Sequence, residues 1–146
     1  MTSHIIMFLE IMKFIETFTE SQIKEVHSLY LNEWWTNKRT LEQTKLSINN
    51  SQVCIGLVDN DEKLAGFARV LSDFVFKGLI FDVIVSSNHR STGSGKAIMA
   101  YILNHPKLQK VRHFELYCLE EMMPFYEKFG FTTNISNVKL MRLINE

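Results

Sequence analysis

Arg90-Ser-Thr-Gly93-Ser-Gly95-Lys96 follows the apolar run Leu79-Ile-Phe-Asp-Val-Ile-Val85 and opens a helix-patterned segment that starts near Ser94. A strand, a glycine-bearing turn and a helix N-terminus in that order make an anion pocket. Glycine allows the tight turn and removes the Cβ that would hold a ligand away. The first helical turn then offers unpaired N–H groups at the positive end of the helix dipole. Phosphate is the natural guest, and an ordinary strand-to-helix turn is the plainer alternative. A nucleotide P-loop is excluded, because Arg90 stands where its first Gly belongs and Ala97 where Ser or Thr must follow the Lys. The dinucleotide pattern G-x-G-x-x-G fails as well, since Ala97-Ile98 follows Gly95.

Working outward, the segments on both sides read as one α/β domain covering residues 1–146. Ile11 to Phe18 has strand-like apolar content. Thr19-Glu-Ser-Gln22 and Thr40-Leu-Glu-Gln43 each have the form of a capping box, and so predict two helices. Gln52–Val58 and Lys63–Leu71 read as a hairpin around the turn Asp59-Asn-Asp-Glu62, with Gly78–Val85 as a central strand covered on both faces. The helix from Ser94 should stop at His105-Pro106. Val111–Cys118 is a further strand, Met123–Lys128 a short helix ended by Gly130, and Phe131–Thr133 and Val138–Leu143 two last strands.

Composition narrows the function classes. The 146 residues suffice for a core without disulfides or metals, and 11 Phe supply bulk to fill it. Sixteen basic residues balance sixteen acidic ones, which gives no basic stripe for nucleic acid and no polybasic patch for a membrane surface. Cys54 and Cys118 lack metal or disulfide spacing and read as buried thiols. The five His show no metal-ligand spacing. The apolar patch Ile5–Leu9 is too short to span a bilayer and has no leader-peptide features, so the expectation is a cytoplasmic protein; a start at Met7 or Met12 stays open.

Three side-chain sets are candidates for chemistry. Asp82 lies inside an apolar strand, where a carboxylate must be paired or protonated; it reads either as a base of raised pKa or as a structural residue paired with Arg69. Tyr126, in Phe125-Tyr-Glu-Lys-Phe-Gly130-Phe131, reads as packing or as a proton donor to a thiolate. Trp34-Trp35, near the bend between the first two helices, reads as a substrate mouth or as the exposed end of a helix.

Two of these stretches together resemble the GNAT superfamily of N-acetyltransferases. Arg90-x-x-Gly93-x-Gly95 is similar to its acetyl-CoA pyrophosphate motif, and Tyr126-Glu-Lys-Phe-Gly130-Phe131 to its second signature. The resemblance is best from Gln52 to Thr133, Ala65-Gly-Phe-Ala-Arg69 included. It implies a mixed, mainly antiparallel sheet of six to seven strands, splayed between the fourth and fifth, with about four flanking helices. It implies acetyl-CoA as co-substrate, with the backbone of Val83, Ile84 and Val85 on the pantetheine arm and the N–H groups of Arg90, Ser91, Thr92, Gly93, Ser94, Gly95 and Lys96 on the pyrophosphate. Arg90 and Lys96 would add charge, Tyr126 would protonate the leaving thiolate, and Asp82 would take the amine proton. The acceptor would be the amine of a small molecule or a protein. A homodimer stays open because family members are often dimers, and no metal is implied. The other reading is a non-catalytic acyl-CoA-binding sensor. Two positions depart from the family: Ser91 stands where many members have Gly, and Leu119 where many have Asn.

Overall fold

The computed structural model describes residues 12–145, which fall into two compact units that divide between Leu116 and Tyr117. The apolar patch Ile5–Leu9 lies outside the described residues. In the first unit, β1 (Lys13–Ile15), β2 (Val53–Val58), β3 (Leu64–Ser72), β4 (Lys77–Val85) and β5 (His113–Leu116) form one sheet in chain order. The first four strands are antiparallel neighbours, and β5 joins β4 in parallel. Helix α1 (Glu20–Leu31) and helix α2 (Leu41–Asn49) separate β1 from β2, and α3 (Ser94–Leu103) crosses over from β4 to β5.

Both predicted capping boxes form. Thr19 and Thr40 each accept from the backbone N–H of the Gln three residues on, whose side chain returns the bond. Thr19 thereby fixes the entry of α1, whose Ile23, Val26, Leu29 and Tyr30 pack with Val58, Phe67 and Ile84 of the sheet. Helix α3 covers β2, β3 and β4 with Ile98, Met99 and Ile102, all fully buried. Its approach is close at Gly66, where a Cβ would come within 2.7 Å of Ile98 Cδ1. β2 is buried along its whole length, whereas β4 alternates buried and half-buried residues. The expectation of a β4 covered equally on both faces is therefore corrected.

The feature that shapes the site is a bulge in β4. Arg69 pairs with Phe81 and Phe67 with Ile84, so Asp82 and Val83 together oppose Ala68. Asp82 takes a φ of 57°, a left-handed value that Asp tolerates better than most side chains. A bulge bends and twists the strand that carries it. The pairing of β4 with β5 runs to Ile80 and Leu116, and among the described residues no strand pairs with the outer edge of β4 at Val83–Val85.

The second unit holds α4 (Met123–Glu127), led in by a short turn of 3₁₀ helix, and no strand among its described residues. The sheet thus has five strands rather than six or seven, and the strands expected at Phe131–Thr133 and Val138–Leu143 are corrected. The physical reason lies in the pattern. In Val138-Lys-Leu-Met-Arg-Leu-Ile144 the apolar residues are adjacent twice, so no alternation gives the segment one face to bury. Met141 and Leu143 are over nine-tenths exposed.

Candidate functional site

Gly93 turns the chain into α3 with a φ of 88°, and a Cβ there would meet nothing within 4 Å. Its lack of a side chain serves backbone conformation and leaves open space above the turn. The first backbone bond of the helix runs from Ala97 N–H to Gly93 C=O at 2.9 Å, and no side chain caps the end. The N–H groups of Ser94, Gly95 and Lys96 therefore donate to no described protein atom, which leaves three aligned donors at the positive end of the dipole. Around them the loop is internally tied. Ser86 Oγ and His89 Nδ1 are 2.7 Å apart, Thr92 Oγ1 donates to the His89 carbonyl, and Thr92 Oγ1 and Ser94 Oγ are 3.0 Å apart. Ser91 adopts a φ of 63°. Position 91 thus asks for a conformation that glycine adopts freely, and Ser91 holds it under strain.

The splayed edge of β4 lies immediately upstream. Ser86 N–H donates to Ala65 C=O at 2.8 Å, which sets the ladder phase: Ile84 is turned toward β3, and Val85 toward the open edge. By the same alternation Val83 faces outward. The Val83 backbone and the Val85 N–H face that edge, whereas the Ile84 backbone is committed to β3. Arg90 reaches back to this edge, donating from Nε to the Val85 carbonyl at 3.3 Å while Nη2 binds Glu33. Its guanidinium thus lies on β4, and Lys96 is the exposed cation of the helix start.

Asp82 is buried and accepts three bonds on a single oxygen, Oδ2: from Tyr30 Oη at 2.9 Å, Arg39 Nη1 at 2.6 Å and Arg69 Nε at 2.7 Å. Burial pushes its carboxyl up, but the hydrogen bonds and charges of Arg39 and Arg69 outweigh it and hold the group below the usual aspartate range. The same network, with burial first, pushes the Tyr30 phenol upward. A carboxylate held in this way is a poor proton acceptor at neutral pH. Of its two sequence readings the geometry favours the structural one, with Arg69 as foreseen and Tyr30 and Arg39 in addition. Those two were not legible in the sequence, because only folding brings α1 and the α1–α2 bend over β4.

That bend carries the aromatic pair. Trp34 is 71% exposed and Trp35 43%, and both line an open cleft of about 480 Å³ with Thr36, Asn37, Lys38, Arg39 and Gln43. In the second unit Tyr126 is buried, with its ring edge-on to Phe125 and Phe131. Burial first, and the neighbouring Cys118 second, push its phenol up to about 12. Cys118 itself is exposed, which corrects its reading as a buried thiol; Cys54 is buried. Among the described residues no cluster of His, Cys, Asp and Glu is fit for a metal ion, and no helix is long and apolar enough to cross a membrane.

The Acetyltransferase (GNAT) family matches residues 11–131, so the chain belongs to the GNAT acetyltransferases. Its relatives include the uncharacterized N-acetyltransferase ycf52 of Pyropia yezoensis, 31% identical over 71% of this chain and 62% of that protein. The protein of the same name from Gracilaria tenuistipitata var. liui is 33% identical over 71% and 59%. The chain therefore spans about three fifths of the length of these relatives. A crystal structure from Xanthomonas campestris pv. campestris, assigned to the GNAT family, superposes with a TM-score of 0.81 at 28% identity, covering 92% of this chain and 93% of that one.

Proposed function

We propose that this protein is an acetyl-CoA-dependent N-acetyltransferase acting on a primary amine. The single observation that carries the reading is the open edge of β4 running into the uncapped start of α3. An outward-facing strand edge suits an amide-bearing arm, and three free N–H groups with Lys96 beside them suit a pyrophosphate. These are the two parts that acetyl-CoA would present, and the open space at Gly93 leaves room for them. When bound, acetyl-CoA supplies the activated acetyl group as a thioester.

The rest falls to residues of this chain. Val83 and Val85 would hold the arm through backbone bonds, and Arg90 would release the Val85 carbonyl as the arm takes its place. A backbone N–H of this edge, aimed at the thioester carbonyl, would stabilise the charge that develops on its oxygen. Such donors contribute about 10²–10³-fold each. Tyr126, by its place in the second signature, would protonate the departing thiolate; a phenol with its pKa pushed up to about 12 stays protonated at neutral pH. Asp82 would position Arg39 and Arg69 rather than accept the amine proton, a task that solvent can perform for an amine arriving in an open cleft.

The test is CoA release measured against a panel of amines. Amine-dependent release supports acetyl transfer. Saturable acetyl-CoA binding with no release from any amine would favour the alternative of an acyl-CoA sensor.

A further inference from the structure

We infer that the cleft at the α1–α2 bend selects acceptor amines that also carry an anionic group, a carboxylate or a phosphate; the inference rests on the acetyltransferase reading of the neighbouring edge. The cleft adjoins the proposed reaction centre, because Arg39 in its wall bonds Asp82, the residue immediately before Val83 on β4. Its lining holds two cations, Lys38 and Arg39, and no acid. Lys38 is exposed and enters no ion pair or hydrogen bond among the described residues. Arg39 spends Nη1 on Asp82 and stacks its guanidinium over the Tyr30 ring at 4.6 Å, while a third of its side chain stays open.

Charge around the wall is not balanced. Asp82 is one carboxylate shared by two guanidiniums, Arg39 and Arg69, and the nearby Glu33 is taken by Arg90. A polycationic acceptor would meet like charge here, whereas a carboxylate or phosphate would find Lys38 and the free donors of Arg39. The exposed rings of Trp34 and Trp35 add an apolar wall for the carbon skeleton between the two groups. The acceptor that fits is therefore a small amino acid-like or phosphorylated amine, not a basic peptide tail or a polyamine.

The chain has two Trp, and both line the cleft, so intrinsic Trp fluorescence reads this site without any need for turnover. Matched probes separate the sources of charge: leucine against 3-methylbutylamine for the carboxylate, and phosphoethanolamine against ethanolamine for the phosphate. Spermidine is the polycationic control. CoA is kept at saturation so that the start of α3 is filled. The expected result is half-saturation by at least one member that bears the anionic group at about tenfold lower concentration than its partner without that group, an advantage erased by Lys38→Glu. Equal response within both pairs, tighter binding of spermidine, or an anion preference untouched by Lys38→Glu would overturn the inference. CoA release separates the two levels of the account. Anion-selective fluorescence without release from any amine keeps the cleft and removes the transferase. Release that does not favour the anionic partners keeps the transferase and removes the cleft.

Discussion

Arg39 Nη1 lies 2.6 Å from Asp82 Oδ2, which joins the bend after α1 to the bulged residue of β4. The contact links the wall of the cleft lined by Trp34 and Trp35 to the strand edge where the acyl group is proposed to lie. It also bears on what Asp82 can do. A carboxylate engaged by two guanidiniums and a phenol holds elements together more readily than it takes up a proton.

Asp82→Asn separates the two roles, since Asn also tolerates the left-handed φ. Removing the charge leaves Arg39 and Arg69 without their partner in a half-buried place, where breaking such a pair costs about 3 kcal/mol. The melting temperature should fall by roughly 10 °C. Turnover of the folded variant should keep its pH profile; loss of the acidic limb would make Asp82 the base after all.

Ser91→Gly should stabilise the protein. The left-handed φ costs an L-residue about 1–2 kcal/mol, part of which is offset by the greater freedom of Gly in the unfolded chain. A net gain of about 0.5–1 kcal/mol, or roughly 2–4 °C, is expected by calorimetry, with acetyl-CoA affinity equal or better. A fall in melting temperature would show that Ser91 makes a contact worth more than the strain.

Acid sensitivity should trace to Glu16 as well as Asp82. Glu16 accepts from Tyr101 Oη at 2.6 Å and from His105 Nε2 at 2.7 Å, tying the end of β1 to α3. Burial pushes its carboxyl up, but these bonds and the nearby charges outweigh it and leave the group below its ordinary 4.5. A carboxyl lowered on folding stabilises above its unfolded pKa and loses that contribution as pH falls through the folded one. Stability should thus decline below about pH 4.5, and Glu16→Gln should flatten the upper part of that decline in denaturant titrations. An unchanged slope would show that the Glu16 bonds contribute nothing net.

Much of this was readable before folding. The turn at Gly93 and the start of α3 are legible because their signal is local: an apolar strand, Gly93 and a helix start lie in one short stretch, and steric freedom and dipole act at that range. Both capping boxes were legible for the same reason. The partners of Asp82 were only partly so, since Arg39 arrives from 43 residues upstream. The cleft is legible only in part: the adjacent aromatics Trp34-Trp35 stand out in the sequence, whereas Lys38-Arg39 gains meaning only from the bend between α1 and α2. The last two expected strands do not form because apolar content alone suggests a strand, whereas ladder partners and strict alternation make one.

Tyr126→Phe should lower kcat by about 10²–10³-fold with acetyl-CoA affinity nearly unchanged. Because the phenol is pushed up to about 12, it should impose no alkaline limb on the rate below about pH 10. Equal losses in turnover and affinity would make the ring a packing residue only.

The most direct test of the central claim is calorimetric titration of acetyl-CoA into the protein and into Gly93→Leu, with circular dichroism to confirm that both are folded. A Cβ at Gly93 meets no protein atom, so a side chain there would project into the space assigned to the cofactor. Saturable binding of one acetyl-CoA per chain, weakened at least tenfold in the folded variant, is the result expected. No binding to the parent protein, or equal binding by both, would contradict it.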